Sequence, residues 1–324
     1  MTYDLTFAVI GTGFMGKTHA EIISRLAKRM IICGNDCETG KALAEQYGCP
    51  FYADYREMLT KELPDAVSVC LPTHLHAEAT IAALEAGANV LCEKPFASSV
   101  EEAERMIAAS EKNARTLMIA HCCRFSKKYE YLRRCINDAR FGNLISLDLH
   151  RDTPKPAWSV GNWLANVALS GGVVRDLHIH DTDIVVGLLG MPTSIYTVGG
   201  ATACRTVYRY ENDLSVSASA SWRDIENIRT ESGFDATFEH ACIQAEGGTL
   251  KLYTDNSCTE PLENEEFSEF FQGESSYENE IAYFCDCLAK KESPVLCPVS
   301  DSLKTIRLSC AESRSLEKKT LETL

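Results

Sequence analysis

One segment of the chain carries side chains whose types and spacing suit proton transfer. In "RDLHIHDTD", Asp176 and His180 are four residues apart, so on a helix they share one face. An imidazole with a carboxylate one turn away suits general acid–base catalysis near neutral pH. Asp183 lies close to that face one turn further on, whereas His178 lies about 200° around the helix from His180. A metal site and a buried structural histidine are alternative interpretations of the same spacing.

A lysine stands in a second segment, "CEKPF", directly after an apolar run that ends at Cys92. The carboxyl ends of parallel strands are where doubly wound sheets bind their ligands. At such a position the ammonium of Lys94 orients a substrate hydroxyl and stabilises negative charge that develops on its oxygen. The alternative interpretation is an ordinary solvated lysine.

Glycines stand at 11, 13 and 16 in "AVIGTGFMGKTHAEII", a G-x-G-x-x-G spacing between an apolar strand and a helix. Gly11 permits a tight turn, Gly13 lets the backbone approach a pyrophosphate, and Gly16 allows the helix to pack close to the strand. The helix N-terminus supplies N–H donors to the phosphates. We therefore predict that this turn binds a dinucleotide.

The choice between NAD and NADP depends on the end of the second strand, "IICGND". NAD enzymes usually carry a carboxylate there, which binds the 2′-hydroxyl of the ribose. In this chain Gly34 occupies the usual position and Asp36 follows two residues later. Either Asp36 reaches back to the ribose, or the space beside Gly34 admits the 2′-phosphate of NADP. We expect NAD, with NADP as the alternative.

Short apolar runs alternate with helical segments from the start of the chain to about residue 121. This alternation predicts a parallel sheet with right-handed crossovers. Strand patterns then dominate from 194 to about 253, and two helices follow near 277–290 and 300–318. We predict an α/β protein with a Rossmann dinucleotide-binding domain over 1–121. An α+β domain over 122–324, built on a largely antiparallel open sheet, would bind substrate and support oligomerisation.

Composition limits the partners and the compartment. The formal net charge of -14 argues against nucleic acid and anionic membranes, because phosphates would be repelled. Apolar runs stay shorter than the roughly 18 residues of a membrane span, and "MTYDLTFAVIG" does not read as a signal peptide. The 15 cysteines lack zinc or redox spacing. We expect reduced thiols, no bound metal and a cytoplasmic protein.

Four segments together resemble the Gfo/Idh/MocA family of oxidoreductases, which includes glucose–fructose oxidoreductase and inositol 2-dehydrogenase. They are the glycine turn, "VCLPTHLHAEATIAALEAGANVLCEKP", "AHCCRF" and "GGVVRDLHIHDTD". The resemblance runs from about residue 5 to 190 and is looser beyond. It implies an NAD(P)-dependent dehydrogenase that acts on a secondary hydroxyl or ketone of a sugar, cyclitol or sugar derivative.

The resemblance also implies roles at matching positions. Lys94, Asp176 and His180 match the family's catalytic residues, and Arg124 and Trp163 fall near the expected edge of the substrate pocket. Trp158 and Trp163 would either stack on a sugar ring or simply pack. Besides the glycines and Asp36, the residues expected to line the cofactor are Phe14, Met15, Leu71, Pro72, Thr73, His76, Glu93 and Lys94.

Two further functions stay open. A tightly held NAD that oxidises a sugar transiently would allow a glycosidic bond to be eliminated with no net redox change. A non-catalytic NAD(P)-binding regulator is the other possibility, although the chain retains Lys94, Asp176 and His180. The open sheet face of the second half predicts a homodimer or homotetramer, since large exposed apolar faces are usually buried by self-association.

Overall fold

The computed structural model describes residues 2–156, 159, 163–164, 166–225 and 227–324, and Trp158 lies outside these described residues. They form two compact units. The first unit comprises residues 2–122, 159, 163 and 273–303, and the second comprises the remainder.

A six-stranded parallel sheet is the centre of the first unit as described. Its strand order, β3-β2-β1-β4-β5-β6, is that of dinucleotide-binding sheets, and it confirms the predicted Rossmann topology. The strands are β1 (Tyr3–Ile10), β2 (Ala27–Cys33), β3 (Phe51–Tyr52), β4 (Ala66–Val69), β5 (Asn89–Glu93) and β6 (Leu117–Ala120). The helices between them are α1 (Phe14–Leu26), α2 (Cys37–Tyr47), α3 (Tyr55–Glu62), α4 (His76–Glu85) and α5 (Val100–Asn113).

A nine-stranded sheet is the centre of the second unit as described, in the order β14-β13-β12-β11-β7-β10-β9-β8-β15. β7 pairs parallel with β10 and antiparallel with β11, and the other pairs are antiparallel. The strands are β7 (Leu144–Pro154), β8 (Ser194–Gly199), β9 (Ala203–Arg209), β10 (Ser215–Arg223), β11 (Glu231–Phe238), β12 (Cys242–Glu246), β13 (Thr249–Thr254), β14 (Ser257–Thr259) and β15 (Glu322–Thr323). The predicted, largely antiparallel sheet is confirmed.

Helices α6 (Lys127–Asn137), α8 (Ile179–Leu189) and the part of α10 (Val299–Lys318) that belongs to this unit pack on one face of this second sheet. The unit also contains the short helix α7 (Val167–Ser170). Burial alternates along the strands: in β9 exposed and buried residues alternate along the whole strand. Its buried side faces a core that contains Leu147, Phe234 and Leu308. The alternation follows from the two-residue period of a strand with one packed face.

The helical segment that carries Asp176 and His180 contains two kinds of helical turn. Val174–His178 is a turn of π-helix, and α8 continues from it. Single π-turns inside α-helices occur frequently at functional sites. Asp176 therefore lies in the π-turn and His180 in the first turn of α8.

The second unit is not continuous in sequence, which differs from the predicted domain over 122–324. Residues 273–303, with helix α9 (Ser276–Lys290), belong to the first unit. The Phe284 ring packs on Phe7 of β1 at 6.1 Å between centroids, and the Tyr3 hydroxyl donates to the Ala282 carbonyl at 3.4 Å. The apolar face of α9 is buried against the parallel sheet, so packing assigns this helix to the first unit.

Two findings bear on the predicted partners and compartment. Within the described part of the chain, no helix combines the length and apolar character needed to cross a membrane. The cysteines are free thiols, and most of them are buried.

Candidate active site

The three glycines of the N-terminal turn have different physical roles. Gly11 has φ 114°, and a Cβ there would lie 2.3 Å from the Cys70 carbonyl oxygen. A Cβ on Gly16 would lie 2.0 Å from the Gly11 carbonyl oxygen. A Cβ on Gly13 would meet no described atom within 4 Å. Two of the glycines are thus required by packing, and Gly13 keeps a space open.

This open space adjoins the N-terminus of α1, where Gly13 occupies the cap position without a side-chain hydrogen bond. The first backbone N–H groups of a helix lack intrahelical partners and favour anions. A pyrophosphate therefore fits this cradle, and the residues present suit a dinucleotide. Of the neighbouring residues, Phe14 is exposed and Met15 is half-buried.

A buried ion pair lies beside the turn. Nε2 of His19 donates to Oε1 of Glu93 at 3.0 Å, and Nδ1 lies 2.7 Å from the Ser68 hydroxyl. Burial opposes protonation of His19, but Cys70 and Glu93 outweigh it and raise its pKa well above the ordinary value. Burial likewise opposes ionisation of Glu93, but the hydrogen bond and charge of His19, together with Lys94 and His76, outweigh it and lower the pKa of Glu93. The pair joins α1 to the end of β5.

His76 joins the segments that follow β4 and β5. Its ring is fully buried, with Nδ1 2.8 Å from the Pro95 carbonyl and Nε2 2.8 Å from the Leu71 carbonyl. Burial lowers the pKa of His76, so the neutral ring donates to one of these carbonyls at a time. Lys94, in a cis peptide bond with Pro95, is half-buried, and its backbone N–H donates to Glu93 at 3.1 Å.

These contacts change the interpretation of two predicted cofactor residues. Glu93 and His76 are 5% and 0% exposed, so both residues lie inside the protein, and their side chains bind protein groups. Glu93 and His76 hold the segments after β4 and β5, which carry other residues expected to line the cofactor. Of these residues, Leu71, Pro72 and Lys94 are half-buried, whereas Thr73 is buried.

The end of β2 favours NAD over NADP. A Cβ on Gly34 would lie 2.8 Å from Cγ2 of Thr12, so the Thr12 side chain packs directly against Gly34. Asp36 is exposed and caps α2, where it accepts from the Thr39 N–H at 3.2 Å and the Thr39 hydroxyl at 2.6 Å. The hydrogen bonds from Thr39 lower the pKa of Asp36 and keep the carboxylate ionised.

In the second unit, two aspartates on α8 form bidentate ion pairs. Asp181 accepts from Arg151 of β7 at 2.8 Å and 3.1 Å, and Asp183 accepts from Arg124 at 2.7 Å and 2.8 Å. The Thr305 hydroxyl also donates to Asp183 at 3.0 Å. Both carboxylates are buried. Paired burial of this kind fixes geometry, since an unpaired buried charge is strongly destabilising.

His178 and Thr182 belong to a buried cluster of hydrogen-bonded side chains that also contains Glu312. Nε2 of His178 lies 3.0 Å from the Thr206 hydroxyl and 3.3 Å from the Tyr208 hydroxyl. Glu312 of α10 accepts hydrogen bonds from Tyr208 at 2.7 Å and from Thr182 at 3.0 Å. Burial lowers the pKa of His178 to about 4 and raises the pKa of Glu312 to about 8. Both groups are therefore neutral near pH 7.

The side chains of the π-turn and of α8 thus fall into two groups, one buried and bound to protein partners and one more accessible. His178, Asp181, Thr182 and Asp183 are buried, whereas Asp176 and His180 are half-buried. Asp183, expected close to the face of His180, is buried, and its carboxylate pairs with Arg124.

Arg124, expected at the edge of the substrate pocket, has a side chain only 8% exposed and pairs with Asp183. Trp163 is half-buried. Sequence reasoning missed His19, Ser68 and Glu312. A signal existed for His19, which stands three residues after Gly16 on the helix that packs against the sheet.

The strand order and the glycine turn are those of a dinucleotide-binding protein, and a second α+β unit accompanies them. Sequence comparison agrees. Residues 5–121 match the family profile described as "Oxidoreductase family, NAD-binding Rossmann fold", and residues 129–242 match the GFO/IDH/MocA C-terminal domain. The chain belongs to the Gfo/Idh/MocA family. It is an NAD-binding oxidoreductase of the class that acts on CH–OH groups.

Three known proteins illustrate this relationship. D-Glucoside 3-dehydrogenase of Escherichia coli (strain K12) is 30% identical over 285 residues, which cover 78% of this chain and 80% of that protein. 2,7-Anhydro-N-acetylneuraminate hydratase of Mediterraneibacter gnavus is 28% identical over 249 residues, or 76% of this chain and 66% of that protein. The structure of levoglucosan dehydrogenase with NADH and levoglucosan has a TM-score of 0.86 at 21% identity, with 99% of both chains covered.

The glycine turn offers a matched test. Gly16→Ala forces a Cβ against the Gly11 carbonyl, so we expect a loss of about 1–3 kcal/mol in the free energy of unfolding. Gly13 has φ -74° and ψ -164°, which suit alanine, so Gly13→Ala should fold normally and bind NAD roughly tenfold more weakly. Urea denaturation and calorimetric NAD titration measure the two effects. Unchanged NAD affinity in Gly13→Ala would contradict the cradle.

The buried cluster predicts a pH dependence of stability. The pKa of Glu312 is about 8 in the folded protein and near its ordinary 4.5 in the unfolded chain, so Glu312 makes stability fall as pH rises between those values. The opposite contribution of His178 is complete above its ordinary pKa of 6.5.

We therefore expect the free energy of unfolding to fall between pH 6.5 and 8 in the wild type, and Glu312→Gln to reduce that fall. Urea denaturation across this range measures it. Glu317→Gln, an exposed change on the same helix, is the control. An equal fall in Glu312→Gln would show that Glu312 does not hold the proton.

Proposed function

We propose that the protein interconverts a secondary hydroxyl and a ketone on a sugar, cyclitol or sugar derivative, with Lys94, Asp176 and His180 as its catalytic residues. The observation that carries this proposal is the division of the helix around residue 180. Buried partners hold the side chains between 178 and 183 that face inward. Asp176 and His180, by contrast, are half-buried, so both side chains are partly accessible to a ligand.

In this proposal His180 accepts the proton of the substrate hydroxyl during oxidation and returns it during reduction. Imidazole suits this role because it titrates near neutral pH. Asp176, one turn earlier, either orients His180 or contacts an adjacent hydroxyl. Bound NAD supplies the two-electron acceptor at the nicotinamide ring.

Lys94 is proposed to polarise the reacting oxygen. Its half-buried side chain follows β5, at the carboxyl edge of the parallel sheet where such folds bind ligands. The buried Glu93 and His76 fix the backbone on either side of it. An ammonium held there stabilises negative charge on oxygen without reorganising during the reaction.

Substitutions at His180 and Lys94 test the proposal. His180→Gln and Lys94→Met should each lower kcat by roughly 10²- to 10⁴-fold, because each removes a group that acts in the transition state. NAD affinity should stay within about threefold of wild type. The assay is the absorbance of reduced nicotinamide with a panel of polyols, aldoses, inositols and nucleotide sugars.

The exposed changes His240→Gln and Lys112→Met are matched controls in the same assay. Wild-type rates in His180→Gln or Lys94→Met would remove the role assigned to that residue.

A second candidate function has support from the relatives. One of them carries the name of a hydratase, 2,7-anhydro-N-acetylneuraminate hydratase. An enzyme that oxidises its sugar only transiently would convert substrate without accumulating NADH. The same panel, followed by chromatography of the sugars, separates the two functions. Product without a change in nicotinamide absorbance would favour transient oxidation.

We also propose that the protein forms a homodimer or homotetramer through the outer face of the second sheet. Val207, Val198 and Tyr196 on β8 and β9 are 53%, 46% and 40% exposed. Tyr196 and Val207 are directly paired across the strands. Apolar side chains grouped on a sheet face favour burial by a second copy. The free thiols suit the reducing cytoplasm, where we expect the enzyme to act.

Sedimentation velocity tests this assembly. The wild type should sediment as a dimer or tetramer, and Val207→Lys should shift it toward monomer, because a charge on the buried face is costly. Leu63→Lys, an equally apolar exposed position in the first unit, should leave the assembly intact. A monomeric wild type would contradict the proposal.

A further inference from the structure

Cys123 lies beside the proposed acid–base residue. Its sulfur is 3.8 Å from Nδ1 of His180 and 3.4 Å from Nη2 of Arg151. The side chain is half-buried, in the short 3₁₀ turn Cys122–Phe125. Sequence reasoning treated the cysteines as apolar thiols, since their spacing showed no site. The contact joins residues 57 positions apart, which no local pattern reveals.

Arg151 determines which way the hydrogen bonds run. A guanidinium has only donors, so the Cys123 sulfur accepts from Arg151. Burial opposes the charge on Arg151, but Asp181 and its other neighbours outweigh it and raise the pKa of Arg151 well above the ordinary value. The guanidinium is held by its bidentate pair with Asp181 and lies 3.4 Å from the Tyr129 hydroxyl. The sulfur is therefore fixed beside a permanent positive charge.

We propose that Cys123 is a positioning residue for His180. Its sulfur accepts the Nδ1–H of His180, which leaves the lone pair on Nε2 to receive the proton of the substrate hydroxyl. This inference rests on the proposed acid–base function of His180 and explains how the required tautomer is selected.

A chain of contacts also links His180 to the buried ion pair between Asp181 and Arg151. Asp181, next to His180 in sequence, anchors Arg151, and Arg151 anchors the sulfur that binds Nδ1. The orientation of the imidazole is thus tied to the same ion pair that holds the helix. Orientation of His180 by Cys123 does not require Asp176.

The tautomer of His180 can be measured directly. In full-length protein labelled with ¹⁵N-histidine and saturated with NAD, the His180 signals are assigned by their loss in His180→Gln. In the neutral ring, we expect Nδ1 to carry the proton in the wild type. In Cys123→Ala the population should move toward the Nε2–H form that predominates in free histidine. Cys123→Ser should retain the wild-type tautomer, because a hydroxyl also accepts a hydrogen bond.

We expect kcat to decrease in variants in which the His180 ring shifts from the Nδ1–H to the Nε2–H tautomer. We expect kcat to fall about tenfold in Cys123→Ala, less than on loss of the imidazole itself, and to recover largely in Cys123→Ser. Cys310→Ala, at another half-buried cysteine of the second unit, controls for loss of a thiol and should change neither readout. Unchanged ¹⁵N shifts in Cys123→Ala would overturn the proposal, whatever its activity.

The two proposals fail in different ways. If the ¹⁵N shifts move in Cys123→Ala while His180→Gln keeps full turnover, Cys123 positions the ring and the acid–base function is wrong. If His180→Gln is inactive and Cys123→Ala leaves the shifts unchanged, the acid–base function stands and the positioning role is wrong.

Discussion

The need to satisfy buried polar groups on one helix is the constraint on which the candidate site depends. Asp181 and Asp183 carry charge into the interior of the second unit, and each is stable there only with its arginine in place. His178 and Thr182 join a neutral cluster on the same side. A rotation of the helix would break several of these bonds together. The exposed edge of the helix, with Asp176 and His180, is therefore held in one orientation.

The first unit uses the same principle around Lys94. The ion pair between His19 and Glu93 joins α1 to β5, and His76 spans from Leu71 to Pro95. Neither side chain acts on a ligand in this account. Both fix the segment that presents the lysine, and second-sphere support of this kind is what gives a site its geometry.

Much of the first unit could be predicted because its signals are local. The glycine spacing and the alternation of apolar runs with helices follow from short-range geometry, and the structure confirms the sheet they predict. Strand β3 has only two residues, too few for a period. The position of α9 depends on packing against β1, about 280 residues earlier in the chain, as in the contact of Tyr3 with Ala282.

The sequence predicts which residue types form the candidate site, but it does not predict the hydrogen-bond and ion-pair partners that hold them. The spacing of Asp176 and His180 predicts a shared face, and both residues are half-buried in the structure. Helical periodicity alone does not show that a π-turn contains Asp176 or that Arg124 pairs with Asp183. Glu312 lies 130 residues from Thr182, so only the folded structure reveals their contact.

The proton transfer that we propose for His180 is tested most directly by a crystal structure with NAD and a slowly converted sugar or cyclitol. We expect Nε2 of His180 to lie within hydrogen-bond distance, about 2.6–3.2 Å, of the reacting hydroxyl oxygen. A bound substrate whose reacting hydroxyl does not contact His180 would contradict the proposal.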